Sequence, residues 1–466
     1  MPNFGQASTA ELLNQLPPEL IDIGADTSRP FWNMGRETMP FEQMRALQTA
    51  KLQRQVAYLG KYSEFYKRKF QSAGFDHNAC ATIKDISAVP FTTKAELRDS
   101  QAAHPPFGLH QAASMDDIVR VTATSGTTGK SVFQGYTAHD TLRRSESLAR
   151  VLWGFGVRPG DRVINGFALS MFNAGIPLCA AVERLGAVNI PAGAERRVEG
   201  MLTLMQQLKA TVWVGTPSFA SALAERCTEV LGVAPQELGL RILCGGGESG
   251  FEQPAFQKRM EEAWGTPHVF DFASTSDAHP NVFAHCQHRD GKHHLTPDLA
   301  LIELIDPATG AILEFTDGIE GEYVFTHLDR QACPLFRYRT GDIIKVRTSK
   351  CACGRTGFRM DIVGRSDDML IVRGINVFPS ALQSVISTFS PQMSGAIQVV
   401  LSKPGPAVIP PLRIRVEAVG ANKELKTALE QVIRRALTVS VDIEFVPVGT
   451  LGRTEKKSKL IVLEEL

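Results

Sequence analysis

No stretch of about 18 consecutive apolar residues occurs in this 466-residue chain, so nothing in it reads as a membrane-spanning helix. The opening residues, Met1-Pro-Asn-Phe-Gly-Gln, lack the basic segment followed by an apolar one that marks a secretory signal, and a cytoplasmic protein is expected. An excess of either charge is missing too. Lys and Arg number 50 and Asp and Glu 49, a balance that argues against nucleic acid or an anionic membrane surface as partner. Internal repeats and low-complexity tracts are absent. Cysteine is sparse: eight in so long a chain do not make a disulfide framework, and Cys80, Cys179, Cys227, Cys244 and Cys333 are scattered singly, as reduced thiols are.

What remains is an ordinary globular composition, 43% hydrophobic and 21% charged, over a length that asks for two or three domains. Phe41 to Leu59 places Phe41, Met44, Leu52, Val56 and Leu59 on one helical face, with Gln48 and Gln55 intruding on it. Thr93 and Glu96 form a capping box that starts another helix. Between about residues 140 and 270, apolar runs at Arg162–Asn165, Ala187–Pro191, Thr211–Gly215 and Arg241–Cys244 alternate with helical segments. That alternation predicts βαβ units and a largely parallel sheet. Ligands in such sheets bind at the carboxyl ends of the strands, so Gly215-Thr216-Pro217-Ser218 and Gly245-Gly246-Gly247-Glu248 fall where a cleft is expected. From about 300 to 350 tightly connected strands predict a smaller β-rich subdomain. Beyond Arg365 an α+β module follows. The expected fold is therefore α/β: a large N-terminal domain over 1–365, then a smaller α+β domain over 366–466.

The most distinctive stretch is Thr124-Ser125-Gly126-Thr127-Thr128-Gly129-Lys130, which follows the short apolar run Ile118–Val121. Backbone N–H groups in a glycine-opened turn, hydroxyls and one ammonium together suit a polyphosphate. It is not a Walker A loop, which needs four residues between its glycine and the Gly-Lys pair; here only Thr127 and Thr128 stand between Gly126 and Gly129. A polar surface loop has the same composition, so the assignment depends on the company this loop keeps.

That company consists of Gly246-Gly247-Glu248, Asp271-Phe272-Ala273-Ser274-Thr275, Tyr338-Arg339-Thr340-Gly341-Asp342, Gly364-Arg365-Ser366-Asp367-Asp368 and Arg453-Thr454-Glu455-Lys456-Lys457. In this order the motifs resemble those of adenylate-forming ligases. More narrowly, Phe65-Tyr66-Lys-Arg-Lys-Phe, Pro90-Phe-Thr-Thr-Lys, Arg337-Tyr-Arg-Thr-Gly-Asp, Cys351-Ala-Cys-Gly-Arg-Thr and the segment from Gly364 to Ser380 are similar to the phenylacetate-coenzyme A ligase branch. The resemblance implies that a carboxylate attacks the α-phosphate of Mg-ATP, releasing pyrophosphate, and that a nucleophile then displaces AMP. Such a reaction needs charge neutralisation and positioning rather than a protein nucleophile.

By the same resemblance, Thr124, Ser125, Thr127, Thr128 and Lys130 hold the β- and γ-phosphates. Phe272 stacks on adenine, which Gly246, Gly247 and Glu248 border. Asp342 accepts from the ribose hydroxyls, and Arg365 lies at the domain junction near ribose or phosphate. Thr275 and Lys457 are the expected catalytic residues, Lys457 carried to the α-phosphate by a mobile tail, and Asp367 is the expected hinge.

Two departures from the family pattern stand out. Where a Mg-binding glutamate is usual, this chain has Ser276, with Asp277 one residue further on as the candidate replacement; otherwise phosphates and water alone hold the ion. The glycine-rich acyl segment of phenylacetate ligases is here Phe167-Ala-Leu-Ser-Met171-Phe172-Asn173-Ala174-Gly175, which makes Phe167, Met171, Phe172 and Ala174 the expected acyl pocket for a different acid.

Cys351-x-Cys353 followed by Gly354 makes a turn able to point two thiolates at one ion. Cys286 and His293 supply the other half as in some relatives of this branch, with His288 and His294 as competing ligands. Three sulfurs and a nitrogen suit a closed structural zinc. The leading expectation is an AMP-forming ligase that activates an aromatic or cyclic carboxylic acid and passes it to coenzyme A. The cofactors are ATP, Mg2+ and structural Zn2+. A second reading keeps the first half-reaction but joins the acid to an amino acid, as in coronafacate ligases; Leu460, where the family has an arginine, keeps it open. A third is a nucleotide-binding regulator without catalysis. Association as a homodimer is left open.

Overall fold

The computed structural model describes residues 27–124, 132–275, 277, 279–373, 375–389, 391–403, 405–451 and 460–464. Ser125, Thr127, Thr128, Lys130, Ser276 and Lys457 lie outside the described residues, and so does most of the phosphate loop.

The loop is flanked by an antiparallel pair, β1 (Arg120–Ala123) and β2 (Phe133–Tyr136). The alternating apolar runs become β3 (Arg162–Asn165), β4 (Val188–Ile190), β5 (Val212–Gly215), β6 (Ile242–Gly245) and β7 (Val269–Ala273), all parallel, in the order β4-β3-β5-β6-β7. β5 and β6 are buried along their whole length, as continuous apolar strands with both faces covered must be. Their carboxyl ends are glycines because the backbones nearly touch: a Cβ at Gly245 would sit 1.6 Å from the Gly215 carbonyl oxygen. Any side chain there would push the strands apart.

The expected β-rich part continues the same sheet. β7 pairs in parallel with β6 on one side and antiparallel with β8 (Phe283–Ala284) on the other. Beyond β8 lie β9 (Lys292–His294), β10 (Ala300–Ile305), β11 (Ile312–Leu313), β12 (Glu320–His327), β13 (Tyr338–Arg347) and β14 (Arg359–Arg365), completing a twelve-stranded sheet among the described residues. The segment before the second capped helix joins it: Thr92 bridges to Tyr338, so that Pro90–Lys94 lies along β13.

Three helices matter to the site. α1 (Phe41–Tyr62) turns Met44, Leu52, Val56 and Leu59 inward as expected, but Phe41 is 64% exposed at its first turn. Gln48 and Gln55 lie on the buried face because their amides donate to the Pro297 and Arg330 carbonyls. Periodicity counts them as intruders; hydrogen bonding makes them tolerable. α2 (Lys94–Ala103) begins at the Thr93–Glu96 capping box. α3 (Ala138–Gly154) is buried along most of its length, charged residues included: Arg150 is paired with Asp298, and Glu146 with Arg150 and Arg184.

Residues 370–461 build a core of their own, from Leu370 and Leu382 to Leu429 and Ile443, around a four-stranded sheet ordered Val441–Val446, Leu412–Ala418, Met393–Leu401 and Ile461–Leu463. Ser380 Oγ donates to the Val363 carbonyl at 2.7 Å, and Gly364 faces Phe378 so closely that a Cβ would lie 2.5 Å from the ring.

Candidate active site

Thr124 is the last described residue before the expected phosphate loop. Its side chain is buried, and Oγ1 accepts a hydrogen bond from the Val132 N–H at 3.0 Å, while its own N–H donates to the Val132 carbonyl at 3.0 Å. One residue earlier, the Ala123 N–H donates to the Met171 carbonyl at 2.8 Å, which ties the expected acyl segment to the end of β1.

The ends of β6 and β7 meet nearby. A Cβ at Gly246 would lie 2.0 Å from the Phe272 carbonyl oxygen, and Gly247 has a φ of +90°, a turn that only glycine makes without strain. Glu248 has a structural engagement that its motif did not show: Oε1 accepts from the Ser218 N–H at 2.7 Å, at the start of the helix Pro217–Leu231. Phe272 is only 8% exposed, and its ring stands edge-on to Phe167 at 6.2 Å and tilted to Phe155 at 6.4 Å.

Past β7, Thr275 is half-buried with its hydroxyl oxygen turned inside, and Asp277 is buried. Asp277 Oδ2 accepts from Tyr338 Oη at 3.0 Å and from Lys94 Nζ at 3.2 Å, while Oδ1 has no partner among the described residues. Burial together with the neighbouring carboxylate raises the Tyr338 phenol well above its usual range, so it stays a donor. Neither Lys94 nor Tyr338 was assigned a role from sequence, although both stand inside quoted motifs. The signal was the Pro90–Lys94 segment itself, whose pairing along β13 carries Lys94 to Asp277.

Four residues after Tyr338, Asp342 Oδ1 accepts from Arg365 Nη1 at 2.7 Å. Arg365 also donates from Nε and Nη2 to Asp367 at 2.7 and 3.0 Å, so the expected ribose ligand, junction arginine and hinge residue form one chain of ion pairs at the end of β14.

In the expected acyl segment Phe167 is buried and Ala174 packs against the core, whereas Met171 and Phe172 are 47% and 41% exposed. Sequence reasoning passed over Asn173, whose Oδ1 accepts from Tyr136 Oη at 3.2 Å and Arg144 Nη1 at 2.6 Å. Two isolated polar residues 29 apart in the chain carry no periodic signal.

The metal candidates converge. Ligand atoms of Cys286, His293, Cys351 and Cys353 all lie within 4.8 Å of one another, with Cys286 Sγ 3.6 Å from Cys351 Sγ and Cys353 Sγ 3.4 Å from His293 Nε2. Neither His288 nor His294 belongs to the group: the His294 ring packs between Phe283 and Phe358. A tetrahedral zinc with bonds of about 2.3 Å to sulfur sets neighbouring ligand atoms about 3.8 Å apart, so this donor set fits such an ion. Cys353 is held below the usual thiol range by hydrogen bonds from Cys286 and His293, in keeping with a thiolate ligand.

A family model described as AMP-binding enzyme C-terminal domain matches residues 374–464. The phenylacetate-coenzyme A ligase of Thermus thermophilus is 34% identical over 438 residues, spanning 90% of this chain and 96% of the relative. A 2-hydroxyisobutyryl-CoA ligase in the postadenylation state, in complex with R3-HIB-AMP, is 30% identical with a TM-score of 0.86, covering 97% of this chain and 94% of the other. The same enzyme in the thioesterification state, with 2-HIB-AMP and CoA, gives 0.70 at 31% identity over the same shares of 97% and 94%. A sheet of this topology with a separate C-terminal lobe is the architecture of AMP-forming, carboxylate-activating ligases. The chain belongs to the phenylacetate-coenzyme A ligase branch of that superfamily, a group of acid–thiol ligases.

Proposed function

We propose that this enzyme converts an aromatic or cyclic carboxylic acid and Mg-ATP to an acyl-adenylate and pyrophosphate, then transfers the acyl group to coenzyme A with release of AMP. What carries the reading is the cluster in which Asp277, Lys94 and Tyr338 meet, beside the Asp342–Arg365 pair and the strand-end glycines. Asp342 receives the ribose hydroxyls, and Arg365, already holding Asp342, orients that carboxylate. The narrow Gly246–Phe272 approach lets the adenine lie against backbone. Thr124 anchors a loop whose hydroxyls and Lys130 bind the outer phosphates, and Lys457 brings one ammonium to the attacking carboxylate and α-phosphate.

Asp277 suits Mg2+: a buried carboxylate with one oxygen fixed and the other unengaged can serve an ion that takes few protein ligands. Bound there, Mg2+ would draw charge from the phosphate oxygens. Lys94 and Tyr338 hold the Asp277 carboxylate in orientation. The Cys286, His293, Cys351 and Cys353 set would hold a structural zinc far from any bond change, since a full set of protein ligands leaves no open position. Residues 366–466 act as a lobe rotating at Asp367 between the half-reactions. The chain superposes better on the postadenylation form of the 2-hydroxyisobutyryl-CoA ligase than on its thioesterification form, in accord with two lobe positions.

The test is acid-dependent exchange of labelled pyrophosphate into ATP, without coenzyme A. Exchange that needs both acid and Mg2+ supports the reading; no exchange with any acid, from protein shown to be folded, overturns it.

A further inference from the structure

Six arginines have their side chains buried in the described structure, and five of them have a carboxylate: Arg150 has Asp298, Arg330 has Asp140, Arg337 has Glu303, Arg355 has Glu37 and Arg359 has Asp290. Arg144 is the exception. It is 1% exposed on α3 and its one hydrogen bond runs from Nη1 to the neutral amide oxygen of Asn173 at 2.6 Å. Nε and Nη2 reach no partner among the described residues. These two nitrogens form the edge of the guanidinium whose N–H bonds run parallel, the edge that grips a carboxylate with two bonds at once. A buried cation with neither counter-charge nor hydrogen bonds on that edge is costly unless a ligand completes it.

The surroundings repeat the pattern. The Tyr136 ring lies 5.2 Å from Arg144 Cζ and 3.8 Å from Arg330 Cζ, and Arg330 Nε is also without a partner. His279 Nδ1 is buried and unpaired among the described residues. Both side-chain polar atoms of Asn281 are buried without partners. Burial also pushes the Arg144 guanidinium down to about 10, which still leaves it charged at neutral pH. Buried water could satisfy some of these N–H groups but supplies no charge.

The cluster adjoins the expected acyl segment through the Arg144–Asn173 contact. Asn173 belongs to the acyl segment, and His279 follows Asp277 by two residues. We propose, on the ligase reading above, that Arg144 binds a second carboxylate on the acyl substrate through its Nε/Nη2 edge, with His279 and Asn281 as further polar contacts, so that the acid activated here is a dicarboxylic acid. The reacting carboxylate then faces the phosphates while the far one is held in the interior.

The test uses the full-length enzyme with Mg-ATP and coenzyme A, reading kcat/KM for pyrophosphate release with matched acids: 4-carboxyphenylacetate, its far-end methyl ester and phenylacetate, and adipate against hexanoate. The diacid of at least one pair should exceed its neutral counterparts by about a hundredfold, because a buried donor pair left empty penalises the analogue that lacks the group. Arg144→Met and Arg144→Gln, checked for folding by thermal melts, should collapse that ratio to near one, with monoacid turnover persisting. Wild-type enzyme that turns over the monoacids or the ester as well as the diacids overturns the proposal without any variant. So do variants that lower every acid by the same factor. Failure of every acid to release pyrophosphate would instead remove the ligase reading on which the proposal rests.

Discussion

The two oxygens of Asp277 have different surroundings, and the chemistry follows from the difference. Oδ2 is fixed by Lys94 and Tyr338, whereas Oδ1 is inside the protein with nothing to accept from among the described residues. Asp277→Asn keeps the shape and removes the charge; it should raise the Mg2+ concentration for half-maximal pyrophosphate release by about tenfold, a shift of about 1.4 kcal/mol. An unchanged Mg2+ titration would contradict this role. His110 makes a different residue-scale prediction. It is wholly buried, neither ring nitrogen has a partner among the described residues, and burial lowers its pKa to about 4. The unfolded chain binds a proton from about pH 6.5 downward, and the folded chain does not until about pH 4. The stability of the neutral buried ring is therefore fully present above pH 6.5 and is lost progressively down to pH 4, by about 3 kcal/mol. Urea midpoints at pH 7 and 4.5 should differ less in His110→Leu than in wild type; equal differences would contradict the assignment. The sequence displayed Asp277 only as a carboxylate one place out of register. It did not display Lys94 and Tyr338 as its partners, because that meeting depends on Thr92 pairing along β13.

Among the elements, the hairpin of β8 and β9 and the turn between β13 and β14 are joined by the four metal ligands and by Arg359, which pairs with Asp290 in the hairpin turn. Beside the cluster, Arg355 follows Cys353 by two residues and pairs with Glu37, so the same turn also holds the helix Met34–Glu37. Cys353→Ser should release about one zinc per chain, measured by plasma emission spectrometry of chelator-washed protein, and lower Tm by about 5 °C. Wild-type protein free of zinc with the same Tm would contradict a structural metal. The spacing Cys351-x-Cys353 was legible because a tight turn is local. The choice of His293 over its neighbours was not, since strand alternation and the ring packing of His294 against Phe283 and Phe358 decide it. α3 was illegible in the opposite sense: its charged residues suggest a solvated face, yet ion pairs with Asp298 and Arg184 take it into the core.

At the scale of the molecule, the parallel strands, the late α+β module and the order of the motifs were all readable, because each rests on periodicity or on short contiguous stretches. The union of the parallel and antiparallel halves in one sheet was not, since it turns on β7 having a different kind of neighbour on each side. At the seam between the sheet and the C-terminal lobe, Gly364 sits against Phe378. Gly364→Val would place a side chain inside that contact. If the lobe must occupy two positions, pyrophosphate exchange and thioester formation from presynthesised acyl-adenylate should respond unequally, one falling by at least about tenfold relative to the other. Equal losses would point to simple misfolding of the seam.

The central claim is the two-step ligation itself, and product mass spectrometry tests it most directly. Purified enzyme would be given Mg-ATP, a panel of ring-bearing and dicarboxylic acids, coenzyme A and mixed amino acids together. The account predicts an acyl-coenzyme A mass with an equivalent of AMP, lost when coenzyme A is withheld. An acyl-amino acid formed regardless of coenzyme A, or ATP consumption that yields ADP, would contradict it.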